Sequence, residues 1–255
     1  MCRHLGYLGP AVPLSELLLD PPHSLLRQSW APRDMRRGGT INADGFGAGW
    51  FTGDSGEPVR YRSAATMWSD TAFASLAGAV SATAVVAAVR SATVGMPVVE
   101  TACAPFTEGR WLFSHNGVVR GWPTSVELLA QRLPVADLLT LDAPTDAALL
   151  WALVRHRLRA GQGPVDAIAA VLLEVAAAAP GSRLNLLLGN EELLVATTWS
   201  HALSVRPSAG AVTVASEPTD DDPTWVAVPD RSIVIATTST VDIRPLDAPD
   251  TGRQD

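Results

Sequence analysis

The chain has 255 residues, of which 47% are hydrophobic and 18% charged, enough apolar material to bury a sizeable core. Nineteen Lys and Arg stand against 26 Asp and Glu, a net charge of −7. An acidic chain without a concentrated basic cluster excludes nucleic acid as the main partner, because phosphate binding needs clustered Lys and Arg.

The first 120 residues read as strand-rich, with a short first strand over 2–8. The apolar start is interrupted by Gly6, Gly9, Pro10 and Pro13 and no cleavage site follows, so no signal peptide is expected. Residues 46–52 and 58–62 can pair through the turn residues Gly53, Asp54, Ser55 and Gly56. The uncharged run 71–89 is long enough for a membrane span. Its Ala, Ser, Thr and Gly content indicates instead a helix followed by a buried strand over 84–90. A cytoplasmic protein with no membrane contact and reduced thiols is the expectation. Residues 110–114 and 118–120 flank Asn116-Gly117, and Asn-Gly between strand-like runs predicts a hairpin turn.

The middle is helical. Thr124 is placed to cap a helix ending at Leu133. Thr145 is placed to cap a longer one over 146–160, closed by Gly161. In that helix Leu150, Leu153, Val154 and Leu158 share a face, and Arg155, Arg157 and Arg159 lie largely off it. A third helix spans 164–179, with Pro in its first turn and Pro180-Gly181 at its end. Strands return over 184–188, 193–198, 202–206, 211–216, 225–228 and 232–237, the first two joined at Gly189-Asn190. Strands, then helices, then strands indicate an α+β chain. Residues 2–247 are expected to form one domain, and 248–255, polar with Pro and Gly nearby, a flexible tail.

Two cysteines cannot make a disulfide framework. Cys2 follows Met1 directly, and a side chain that small permits removal of the methionine. Removal leaves a thiol beside a free α-amine with an ordinary pKa of roughly 7.7–8, able to accept the thiol proton near neutral pH. Ser114-His115-Asn116-Gly117 offers a side-chain amide and a backbone N–H that can hold an oxyanion, although an ordinary turn accounts for Asn-Gly equally well. In Arg90-Ser91-Ala92-Thr93-Val94-Gly95 the Arg ends a buried strand, where it needs a partner; a substrate carboxylate is one, a snorkelling sheet-edge position the other. Asp146 begins the long helix, as capping favours, and its carboxylate can also hold a substrate ammonium. The glycines of 42–50 do not have phosphate-loop spacing and read as a tight turn into a closely packed strand. Cys2, His4, Cys103 and His115 are conceivable zinc ligands, but none falls in a zinc spacing.

Taken together these residues resemble the class II glutamine amidotransferases, members of the N-terminal nucleophile hydrolases. A Cys after Met1, Arg90 to Gly95, His115-Asn116-Gly117 and Thr145-Asp146 match in order and rough spacing, and Ala215-Ser216-Glu217-Pro218 is also similar. The resemblance implies a four-layer α-β-β-α sandwich with two antiparallel sheets. It implies attack by Cys2 on a γ-glutamyl carbonyl, an oxyanion hole of Asn116 and Gly117, an α-carboxylate held by Arg90 and Thr93, and an α-amine held by Asp146. Cys103 has no part in this scheme, and no metal or organic cofactor is implied. The family commonly has an acidic residue where this chain has Ala148, and within 255 residues no synthase or sugar-isomerase domain follows.

The opening nine residues and the segments 19–23, 28–32 and 42–50 resemble a narrower group, the amidohydrolases of ergothioneine biosynthesis, which release glutamate from γ-glutamyl-hercynylcysteine sulfoxide. That resemblance implies a small-molecule γ-glutamyl substrate; the alternative is a glutaminase subunit feeding ammonia to a partner synthetase. The leaving half of the sulfoxide carries a trimethylammonium group, which aromatic faces bind well. Trp30, Trp50 and Trp68 lie in segments expected to border the pocket and are candidates for that contact, against the plainer reading of each as a core residue.

Overall fold

The computed structural model describes residues 2–35, 41–52 and 56–246. Its strands are β1 (Arg3–Pro13), β2 (Phe46–Phe51), β3 (Val59–Ser63), β4 (Ser81–Val89), β5 (Phe106–Glu108), β6 (Trp111–Val118), β7 (Arg183–Gly189), β8 (Leu194–Thr198), β9 (Ser204–Ser208), β10 (Ala211–Ala215), β11 (Val226–Ala227), β12 (Ser232–Ala236) and β13 (Val241–Pro245). Its helices are α1 (Leu14–Leu18), α2 (Leu25–Gln28), α3 (Thr71–Ala79), α4 (Glu127–Ala130), α5 (Val135–Leu139), α6 (Asp146–Arg159) and α7 (Pro164–Ala178).

Among the described residues the strands form two antiparallel sheets. One has the order β11-β9-β10-β1-β4-β2-β3, the other β13-β12-β8-β7-β6-β5. The period of two along each strand sends alternate side chains to opposite faces. On β1, Leu5 and Tyr7 join a core beneath α1, α2 and α3, while Leu8 points to the other sheet. On β6, Leu112 faces the first sheet and Phe113 joins a core beneath α6 and α7. Leu8, Val86, Leu112, Leu187, Val214 and Val234 fill the space between the sheets. Helices outside, two sheets inside: the architecture is the four-layer α-β-β-α sandwich.

The uncharged run 71–89 divides into α3, capped by the Asp70 side chain, and buried β4. No described helix is long and apolar enough to cross a membrane. β2 and β3 pair from Phe46↔Ser63 to Trp50↔Val59; the expected turn residues 53–55 lie outside the described residues, as does the tail 248–255.

Several expectations need correction. Asn116-Gly117 is not a turn. Both residues lie within β6, paired with Asn185 and Leu184 of β7. Gly117 is required by close approach, because a Cβ there would collide with the Arg183 carbonyl. The hairpin turn is upstream, at Gly109-Arg110 between paired Glu108 and Trp111. The helix expected over 124–133 is a 3₁₀ turn followed by the four-residue α4, and Thr124 makes no side-chain cap. β1 extends to Pro13, beyond the expected Leu8, because β4 pairs with it past an irregularity between Leu8 and Val12. Arg155 of α6 is buried, its guanidinium donating to Asp137.

Phe113 and Trp151 of α6 stack with centroids 5.4 Å apart, both fully buried. Phe113→Ala is expected to remove about 3–5 kcal/mol of stability in urea unfolding; a loss below about 1 kcal/mol would contradict this packing.

Candidate active site

Cys2 immediately precedes β1, and β1 has a partner on each side. Arg3 opposes Val89 of β4, and Leu5 opposes Ala215 of β10. The chain leaving β4 at Arg90 and the chain leaving β10 at Ser216 therefore both pass beside the nucleophile candidate. Cys2 is half-buried, and its thiol reaches the Ser91 carbonyl at 3.7 Å. Beneath it, buried Arg3 donates to the Cys2 carbonyl at 3.2 Å and to that of Asp34. The Asp34 and Arg33 backbone N–H groups are held in turn by the buried Glu217 carboxylate, at 2.7 and 3.0 Å.

One cleft, about 500 Å³ with its open mouth included, is lined by Cys2, Arg90, Thr93, His115, Gly117 and Asp146, among others. Arg90 is 9% exposed. Its guanidinium donates to two carbonyls, Pro97 at 2.8 Å and Asp44 at 3.4 Å. Among the described residues it forms no ion pair, so its charge meets only dipoles. The segment after it is a tight turn: Met96 N–H donates to the Thr93 carbonyl at 2.9 Å, with Gly95 at φ +90°. That φ explains the glycine, since a type II turn requires a positive value at its third position. The Asp44 carboxylate braces the turn by accepting from Ala92 N–H at 2.7 Å.

At the far wall the Thr145 hydroxyl accepts from Ala148 N–H at 3.2 Å, the cap expected for α6. Asp146 is 6% exposed; one carboxylate oxygen accepts from Val119 N–H at 2.9 Å, the other from Ala147 N–H at 2.8 Å. These bonds and the positive helix end support its negative charge at the cleft. The His115 Nε2 lies 3.1 Å from the Arg183 carbonyl, and since a carbonyl only accepts, that nitrogen carries hydrogen.

Five of the six site residues expected from sequence thus share one cleft. Asn116 is the exception. It points between the sheets, 1% exposed, where its Nδ2 donates to Ser216 Oγ at 3.1 Å. His4 is wholly buried on the same side. Burial first, then His115 and Arg3, push its pKa down to about 3, so it adds no positive charge behind Cys2 at neutral pH. The tryptophans lie elsewhere. Trp50 is in the core beneath the outer helices, and Trp30 and Trp68, 36% and 44% exposed, pack edge to face at 5.7 Å. None of the three lines the Cys2 cleft. Among the described residues no three His, Cys, Asp or Glu side chains gather as metal ligands.

The family model for class-II glutamine amidotransferases matches residues 26–246. The chain belongs to this family. A γ-glutamyl-hercynylcysteine sulfoxide hydrolase from Mycobacterium tuberculosis is 45% identical over 248 residues, covering 97% of each chain. A protein of the same name from Mycolicibacterium smegmatis is 44% identical over 247 residues, covering 96% of this chain and all of its own. In fold, a glutamine aminotransferase class-II domain protein from Silicibacter pomeroyi superimposes with a TM-score of 0.66 at 21% identity, covering 96% of this chain and 100% of its own.

As a class-II amidotransferase domain the chain departs from the commoner pattern at Ala148, which is buried in α6 and contributes only its backbone N–H to the Thr145 cap. Asp44 and Ser216 support the site without having been assigned a part in it from sequence. Ser216 lay in a segment that matched the family pattern, but its contact with Asn116 crosses between sheets and leaves no local signal.

Cys103 is fully buried, and burial pushes its thiol pKa up to about 11. Iodoacetamide added to the native, Met1-processed protein at mildly alkaline pH should therefore give one adduct by intact mass, on Cys2. Equal labelling of Cys103 in folded protein would contradict the packing around it.

Proposed function

We propose that this chain hydrolyses the γ-glutamyl amide of γ-glutamyl-hercynylcysteine sulfoxide, releasing glutamate and hercynylcysteine sulfoxide in ergothioneine biosynthesis. The observation that carries the reading is the meeting, in one cleft, of Cys2, the Asp146 carboxylate and an Arg90 that has no carboxylate partner among the described residues. A half-buried thiol that shares one cleft with a buried cation and a buried anion suits a zwitterionic γ-glutamyl group, whose α-carboxylate and α-ammonium need opposite charges. The near full-length similarity to sulfoxide hydrolases supports the leaving group.

In this reading residues 2–247 act as one catalytic unit. Removal of Met1 leaves the Cys2 α-amine as base. It takes the thiol proton, directly or through water, as sulfur attacks the γ-carbonyl carbon. The oxyanion is held by the Asn116 side-chain amide and the Gly117 N–H. Arg90 and Thr93 hold the α-carboxylate and Asp146 the α-ammonium. Collapse of the tetrahedral intermediate breaks the C–N bond; the leaving amine takes the proton and a Cys2 thioester remains. Water, deprotonated by the same amine, cleaves the thioester to glutamate.

Glutamate release by purified, Met1-processed protein tests this, with the sulfoxide and glutamine under matched conditions. A kcat/KM preference for the sulfoxide on the order of 10²-fold, ~2.7 kcal/mol of differential transition-state binding, is expected. Preference for glutamine would overturn the substrate assignment and make the chain an ammonia-supplying glutaminase.

A further inference from the structure

Ser216 follows β10 directly and is 2% exposed. Its Oγ accepts two hydrogen bonds, from His4 N–H at 2.9 Å and from Asn116 Nδ2 at 3.1 Å. Its own N–H donates to the His4 carbonyl at 3.0 Å. One serine is therefore tied twice to the strand that begins beside the nucleophile and once to an amide on the opposite sheet.

Nothing else among the described residues holds that amide by a hydrogen bond. Asn116 Oδ1 is buried without a partner. Asn185, opposite it on β7, directs its own amide to the Ala202 carbonyl and Trp199 N–H, at 3.0 and 2.8 Å. An Asn side chain has a broad χ2 preference, so backbone alone does not set where its N–H bonds point. The Ser216 contact does, and it uses only one of the two.

We propose that Ser216 is a positioning residue: by accepting one Asn116 N–H it aims the other at the oxyanion formed when Cys2 attacks. The assignment rests on the reading of Asn116 as an oxyanion donor. Because the same hydroxyl is bonded to β1, donor and nucleophile are located against one atom across two sheets.

The test is a double-mutant cycle on the Met1-processed protein with the γ-glutamyl substrate it turns over best. Asn116→Ala should lower kcat on the order of 10²–10³-fold. Ser216→Ala should lower kcat by about 10-fold or more with KM within about twofold, and Ser216→Thr should recover much of the loss. The double variant should be no slower than Asn116→Ala alone, since Ser216 acts through that amide. A Ser216→Ala kcat within about twofold of wild type, or losses that multiply in the double variant, would overturn the proposal. If wild type cleaves no γ-glutamyl amide, the functional reading fails separately. The restraint is then read by NMR from hydrogen exchange of the ¹⁵N-labelled Asn116 side-chain amide. Slow exchange in wild type and fast exchange in Ser216→Ala supports it, and equal rates overturn it.

Discussion

The two-sided pairing of β1 places everything else at the cleft. A strand bonded to β4 on one side and β10 on the other has little freedom at its start. Cys2 sits where that order ends, still anchored through Arg3 yet with its thiol at the cleft. The same pairing decides which segments reach Cys2: the exits of β4 and β10 come alongside because their strands do. A nucleophile at the start of an edge strand would have one such neighbour, and the Arg90 turn and Ser216 could not both lie near it.

Around that point the charges are prepared rather than paired. Arg90 is buried with no carboxylate partner among the described residues, which is unfavourable, and the Pro97 and Asp44 carbonyls offset only part of the desolvation. Asp146 is supported by two N–H groups and a helix end, and among the described residues it has no cation partner. Each leaves capacity for an opposite charge from outside. Had the two been joined in one ion pair, each would be satisfied by the other, with less attraction for a zwitterion. The Glu108, Asp137, Arg155 and Arg159 group, by contrast, pairs its charges among its own members.

Local physics made some of this legible in the sequence. Thr145-Asp146 reads as a helix start because a side-chain cap is satisfied within three residues, and the bond is present. The uncharged run 71–89 separates because Asp70 caps a helix and small β-formers follow. Asn116-Gly117 was read as a turn because Gly tolerates positive φ; Gly also marks close approach, and only the position of the Arg183 carbonyl on β7 selects that reading. The helix over 124–133 failed because Pro123 and Pro134 leave little room for one to propagate. Arg155 was read only as lying largely off the apolar face of its helix, and its burial depends on Asp137, 18 residues away in sequence. The Ser216 contact could not be found at all, since it joins residues 100 apart that meet only across the sheets. Tryptophan number likewise says nothing of direction, and Trp30, Trp50 and Trp68 turned to the surface or the core.

In the proposed mechanism Cys2, with its own α-amine free, forms the covalent intermediate. Rapid quench of a single turnover with γ-glutamyl-hercynylcysteine sulfoxide, followed by mass analysis of the amino-terminal peptide, tests it most directly. A transient glutamyl thioester on Cys2 is expected in chains lacking Met1, appearing and decaying at rates compatible with turnover. Active protein that keeps Met1, or turnover at full rate without a glutamyl adduct on Cys2, would contradict it.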